Sequence, residues 1–300
     1  MQKINPFLWF DDQAEEAVKF YASVFPRSRI GEATRYNEAG KEVHGREPGS
    51  VMTVAFELDG YSFVALNGGP YFTFNPSVSF FVNCASAQEV DALWEKLSPG
   101  GTALMELGEY PFSRRYGWIQ DRFGVSWQLM LPEGKPAARI VPSLLFVGER
   151  CGQAEEAIEL YTSVFGGAKR LSTARYGADH PPNKEGTIMY AGFQLEGQAF
   201  AAMDSAIDHK FGFNEAISFV VHCSGQAEVD RYWNALSAVP ESEQCGWLKD
   251  RFGVSWQIVP KEFFELLQSS DAAGAERVTK AMLGMKKIDI AGLERAAQEA

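Results

Sequence analysis

The sequence predicts an α+β protein: four βαβββ modules forming two tandem domains, followed by a helical C-terminal extension. Three observations carry this. Long phrases recur in the same order in the two halves, each half repeats the order strand, helix, three strands, and after Pro260 alternation gives way to helical spacing. QAEEAVKFYASVF (13–25) returns as QAEEAIELYTSVF (153–165), and NPSVSFFVNC (75–84) as NEAISFVVHC (214–223). EVDALWEKL (89–97) returns as EVDRYWNAL (228–236). GWIQDRFGVSWQ (117–128) returns as GWLKDRFGVSWQ (246–257), with ten of twelve positions identical.

The elements follow in order. Asn5 to Phe10 reads as a short strand, and a helix from about Ala14 sets Ala17, Val18, Tyr21, Val24 and Phe25 at three- and four-residue spacing. Arg29 to Tyr36, Val51 to Leu58 and Ser62 to Leu66 read as strands, the last two joined by the Asp59-Gly60 turn. The order restarts with a strand over Val78 to Cys84. Ser86, with Glu89 three residues on, forms a capping box that opens a helix carrying Val90, Leu93, Trp94 and Leu97. Thr102 to Leu107, Gly117 to Gln120 and Val125 to Leu131 complete the module as strands. Asp121 to Gly124 fits a type I turn. Beyond it Val125, Trp127 and Leu129 face one way while Ser126, Gln128 and Met130 face the other. The repeated phrase therefore reads as a folding device, with Gln128 and Gln257 the positions turned away from its buried side.

The halves meet in PEGKPAAR, which gives domains at 1–133 and 139–260 and an extension at 261–300. The second half is about ten residues shorter between Leu236 and Trp247, a difference assigned to a connection, where length varies at little cost. In the extension, Phe263, Phe264, Leu266 and Leu267 form one amphipathic stripe and Val278, Met282 and Met285 a second. Asp289 caps a third helix carrying Ile290 and Leu293. Such helices are expected to pack over a sheet of their own chain or of a neighbour.

Composition narrows the partners. A formal charge of −11 over 300 residues opposes nucleic acid and anionic membrane surfaces. No apolar run is long enough to span a bilayer, and the N-terminus meets acidic residues before a signal core could form, so a cytoplasmic protein is expected. Cys84, Cys151, Cys223 and Cys245 form no CxxC pair and read as free thiols in a reducing compartment. His44, His180, His209 and His222 show no ligand spacing with one another.

The four modules, paired within each half, together with PFLWFDDQAEEAVKFY, CGWLKDRFGVSWQIVP and the tail VTKAMLGMKKIDIAGLERAA, resemble the vicinal oxygen chelate superfamily of glyoxalases, extradiol dioxygenases and bleomycin resistance proteins. More narrowly they resemble its PhnB-like group, labelled 3-demethylubiquinone-9 3-methyltransferase. The resemblance implies two modules closing a cupped sheet around a cavity, where His, Glu or Gln at inward strand positions hold a divalent metal. The matching positions here carry Asn5, Pro6 and Phe7 or Val141, Pro142 and Ser143 on the opening strands, Thr53 or Tyr190 on a middle strand, and Gln128 or Gln257 on the last. A carboxamide alone is a weak ligand, so the expectation is a cavity without a standard metal site and with no assigned cofactor. The ligand-binding candidates are Trp9, Thr53, Trp118, Gln128, Tyr190, Cys245, Trp247 and Gln257, with Arg114 and Arg115 as a grip for an anion; no residue stands out as catalytic. Methyl transfer lacks its usual signature, since the nearest Gly-rich run, Asn67-Gly68-Gly69-Pro70, precedes no helix. The reading is a protein that binds an unknown small molecule in a cupped cavity, arranged as a pseudo-dimer within one chain and open to further homo-oligomerisation. A metal-dependent lyase, isomerase or dioxygenase, and an interaction module using the tail, are the alternatives.

Overall fold

A computed structural model describes residues 2–41 and 45–298, so His44 lies outside the described residues. Module 1 is β1 (Ile4–Phe10), α1 (Ala14–Val24), β2 (Arg29–Arg35), β3 (Val51–Leu58) and β4 (Tyr61–Asn67). Module 2 is β5 (Val78–Asn83), α2 (Ala87–Leu97), β6 (Thr102–Tyr110), β7 (Ser113–Gln120) and β8 (Ser126–Met130). Module 3 is β9 (Ile140–Val147), α3 (Ala154–Val164), β10 (Lys169–Arg175), β11 (Ile188–Leu195) and β12 (Gln198–Ser205). Module 4 is shorter, with β13 (Ile217–Cys223), α4 (Gln226–Leu236), β14 (Trp247–Lys249) and β15 (Ser255–Pro260). Three helices follow: α5 (Lys261–Ser269), α6 (Ala272–Leu283) and α7 (Ile290–Gln298). Among the described residues no helix is long and apolar enough to cross a membrane.

The strands form two sheets, one ordered β14-β15-β13-β1-β4-β3-β2 and the other β10-β11-β12-β9-β5-β8-β7-β6. We call them the seven-stranded and eight-stranded sheets. Each therefore joins modules from different halves. Pairing within a half holds for the helical layer: Tyr21 of α1 packs on Trp127 of β8, with ring centroids 5.4 Å apart, and Tyr161 of α3 on Trp256 at 5.3 Å. The ladders differ, and the reason is an edge. Every module puts its first strand at its rim, and an unpaired rim of N–H and C=O groups seeks a partner. β1 finds β13 and β5 finds β9, both antiparallel.

The missing residues of the second half also proved to be more than a connection. In module 2 they form β6, which pairs with β7 at Met105↔Trp118 and Gly108↔Tyr116. Module 4 has no such strand, and the C-terminal tail fills part of its place. Cys245 N–H donates to the Met285 carbonyl and Gly246 N–H to that of Lys286, both at 2.8 Å.

The repeated DRFG phrase is explained by one buried carboxylate in each half. Asp121 accepts from the Phe123 and Val125 amides (2.8 and 3.1 Å), the Tyr21 hydroxyl (2.8 Å) and the Trp127 indole (2.8 Å). Asp250 accepts from Phe252, Val254, Tyr161 and Trp256 at 2.9, 3.0, 2.7 and 2.9 Å. Each aspartate thus shapes its turn with one oxygen and ties the turn to the preceding module's helix with the other. Gly124 and Gly253 close the turns at φ 93°, a conformation that favours glycine. The linker is similarly anchored: Arg139 donates to Asp59 (2.7 Å) and Glu89 (2.6 Å), gripping both modules of the first half.

Candidate functional site

Alternation along the strands gives each sheet a helix-covered face and an opposite face, which we call the concave face after the cupped sheet that the resemblance implies. In β9, Ile140, Leu144 and Phe146 join the main core while Val141 joins a separate cluster on the concave side. The same alternation places Ser79 and Phe81 of β5, Gln128 and Met130 of β8, Tyr116 and Trp118 of β7, Ala199, Ala201 and Met203 of β12, and Ser143 on the concave face of the eight-stranded sheet.

That face is apolar around a short line of neutral polar groups. The Tyr116 hydroxyl donates to Gln128 Oε1 at 2.6 Å, and Gln128 Nε2 donates to Ser79 Oγ at 2.8 Å. Gln128 is only 2 % exposed, so both ends of its carboxamide require these partners. Opposite Ser79, and paired with it across β5 and β9, stands Ser143. Its side chain is fully buried, and its hydroxyl has no hydrogen-bond partner among the described residues. Burial pushes the Tyr116 and Tyr190 phenols up, which keeps both neutral.

The concave face of the seven-stranded sheet is built differently. Phe7 of β1, Val220 of β13 and Val259 of β15 pack against Val278, Met282, Met285, Ile288 and Leu293 of the C-terminal extension. The extension latches onto α4 through Gln226, whose side chain donates to the Ile288 carbonyl (3.0 Å) and accepts from the Ile290 amide (2.9 Å). Beneath lies the counterpart of the other sheet's polar line, Gln257 Nε2 donating to Ser218 Oγ at 3.0 Å.

The sequence candidates divide between the two faces. Trp9, Thr53, Trp247 and Gln257 belong to the seven-stranded sheet, with Cys245 just before β14. Trp9 and Trp247 meet edge-on with centroids 5.8 Å apart, and Trp9 is fixed by an indole bond to Gly69 O at 2.9 Å. Thr53 is spent on a hydroxyl pair with Thr34 at 2.6 Å. Cys245 serves the tail, its Sγ 3.6 Å from Leu283 O, and burial pushes its thiol up to about 11, so it is no thiolate at neutral pH. Trp118, Gln128 and Tyr190 belong to the eight-stranded sheet. Trp118 donates to Ser126 Oγ at 2.7 Å, and Tyr190, 36 % exposed at the rim, meets Phe81 edge-on at 5.9 Å. Arg115 is held by Asp91. Ser79 and Ser218 are not among the sequence candidates, their signal being a serine at matching places in the apolar strands VSFFV and ISFVV, and Ser143 is named there only at a position matching a metal ligand.

Neither polar set suits a divalent cation. The inward positions supply Asn5, Phe7, Ser218 and Gln257 on one face and Ser143, Ser79 and Gln128 on the other, carboxamides and neutral hydroxyls without a carboxylate; the imidazole of His222 lies at the far end of β13, beside Phe264 of the tail. Among the described residues no three His, Cys, Asp or Glu side chains group closely enough to hold an ion. His222 is kept neutral by burial and by Lys3. Loading with zinc, nickel, manganese or iron(II), followed by desalting, is expected to leave no stoichiometric ion by elemental analysis. An ion retained one per chain would overturn this reading of the donor set.

Comparison with known proteins agrees with this architecture. A PhnB protein from Bacillus cereus is 42 % identical over 43 % of this chain and 99 % of its own, with a TM-score of 0.39. Two mutant forms of glyoxalase I from Zea mays share the fold across both halves. One covers 89 % of this chain and 96 % of its own at 10 % identity and a TM-score of 0.52, and the other 87 % and 92 % at 12 % and 0.53. No curated protein matches the chain. The family described as 3-demethylubiquinone-9 3-methyltransferase matches residues 2–130 and again 138–259, and the chain belongs to that family, carrying its domain twice on a glyoxalase-like fold.

Proposed function

We propose that the protein binds a small, largely apolar molecule on the concave face of the eight-stranded sheet, without a chelated metal. One observation carries the choice of face: the seven-stranded sheet has its concave side covered by the chain's own tail through Phe7, Val220 and Val259, whereas the tail's cluster includes no residue of the eight-stranded sheet. Phe81, Tyr116, Val141 and Ala201 supply apolar walls, and a few placed polar groups set orientation, the usual composition of a small-molecule site. Methyl transfer finds little support. The turn after β1 is Asp11-Asp12-Gln13, without the glycines by which a doubly wound fold lets a nucleoside-bearing cofactor approach its first strand-to-helix turn. The four free thiols support a reducing compartment such as the cytoplasm.

The test is a fragment screen read by amide chemical shifts. Fragments of about a dozen heavy atoms should bind with Kd values on the order of 1 mM or below. Their shifts should centre on Ser79, Phe81, Gln128, Ser143 and Tyr190. Saturable shifts confined to Trp9, Trp247 and Gln257 would move the site to the other sheet, and no saturable shifts would sink the proposal.

A further inference from the structure

We infer that the eight-stranded sheet recognises a neutral carbonyl group, whose oxygen accepts from the paired hydroxyls of Ser79 and Ser143. The inference rests on the binding face proposed above and adds the chemistry of the ligand.

The direction of the polar line decides it. Tyr116 gives its proton to Gln128 Oε1, which commits that oxygen as an acceptor and turns the carboxamide nitrogen toward Ser79. Ser79 Oγ accepts from that nitrogen and so keeps its own proton to give. Ser143, its register partner on the neighbouring strand, is fully buried and unpartnered. Directly opposed residues on paired strands hold their Cβ atoms about 5 Å apart, a span one oxygen can bridge from two hydroxyls. A buried hydroxyl without a partner is costly to keep, and a ligand atom removes that cost on binding.

Charge and shape select the class further. The side chains beside the two serines, Phe81, Gln128, Val141 and Ala201, are all neutral, and Arg114, on the same side of β7 by alternation, is exposed at the start of its strand, so nothing buried there neutralises an ionised ligand. The walls are aromatic and aliphatic, from Phe81, Tyr116, Met130 and Val141, which suits a flat apolar body. The ligand class is a neutral aromatic or conjugated ketone or aldehyde.

The probe pair is acetophenone and α-methylstyrene, which match in shape and differ by C=O against C=CH2. Titrations of the full chain followed by amide shifts should give acetophenone at least a tenfold lower Kd. In Ser143→Ala that preference should fall below about threefold, because one donor is lost while the walls remain. Ser143→Cys, similar in size but a weak donor, should behave like the alanine variant, and it serves as the test if Ser143→Ala loses its native spectrum. If both probes bind the native protein equally on this face, the carbonyl assignment is overturned while the binding face stands. If neither binds saturably, the binding face itself fails. A preference unchanged in both variants would remove Ser143 from the site and overturn the inference.

Discussion

Asp250→Ala is expected to lower the stability of the whole chain by about 4 kcal/mol, measured as a reduced denaturant midpoint at neutral pH. The substitution strands two backbone amides, a tyrosine hydroxyl and an indole N–H, all of which now end on one buried carboxylate. Hydrogen bonds to a charged acceptor are each worth about 1.5–3 kcal/mol, but the four do not add fully. Burial pushes the Asp250 carboxyl above the ordinary aspartate range, against the pull of those donors, so part of their gain offsets desolvation. A loss of about 4 kcal/mol is a large share of a typical folding free energy of about 5–15 kcal/mol. Asp250→Asn should fall between, since an amide keeps one acceptor oxygen but turns an NH2 group toward donors. Asp121→Ala should repeat the effect in the first half, where the same four donor types converge. A loss below about 1 kcal/mol in both alanine variants would mean that the twice-written phrase serves something other than folding.

The contrast between this phrase and the binding face shows what could be read in the residues. Asp, Gly and Trp at fixed offsets announce a turn and a buried indole, because each residue type there has one dominant local use. The core side of the last strand was legible for the same reason: Val125, Trp127 and Leu129, all fully buried, alternate with Ser126, Gln128 and Met130. The joining of β1 to β13 was not, since the two strands lie far apart in the chain and either edge fits any antiparallel partner of similar pattern. β6 itself reads as a strand from Thr102, but its residues in TALMELGEY are mostly exposed, so nothing marked the shorter stretch of the second half as the loss of that strand rather than of a connection. Ser79 was hidden by its ordinariness, and Ser143 stood only at a position where the resemblance expects a metal ligand. A serine in a strand carries no motif, and only the fold shows one hydroxyl directed by a glutamine and another left without a partner. The tail lay between these cases: its apolar stripes were plain, but a stripe names a face and not what the face meets.

What it meets gives the second large effect. Leu293 and Ile288 are buried against Val220 and Val259 on the concave face of the seven-stranded sheet, so Leu293→Ala should cost about 3 kcal/mol through lost transfer energy and the cavity left behind. The same loosening has a chemical reporter. Cys245 is covered by the tail, with its amide on Met285 O and its thiol directed at Leu283 O, and burial holds that thiol at about 11. Removing residues 261–300 returns it toward the ordinary value of about 8.5, which at pH 8 raises the thiolate fraction by about 200-fold. Thiol titration with a disulfide reagent should therefore show one slow cysteine become fast in the deletion, and partly fast in Leu293→Ala. Cys245→Ser identifies the signal. Cys151, also half-buried but in the turn before α3, serves as the internal control and should keep its rate. Should the deletion prove insoluble, Leu293→Ala alone decides the matter. If Cys245 reacts at the native rate in that variant while stability falls, the tail supports the sheet without covering the thiol. If neither stability nor rate changes, the extension does not hold this face closed in solution, and the seven-stranded sheet regains its claim as a binding surface.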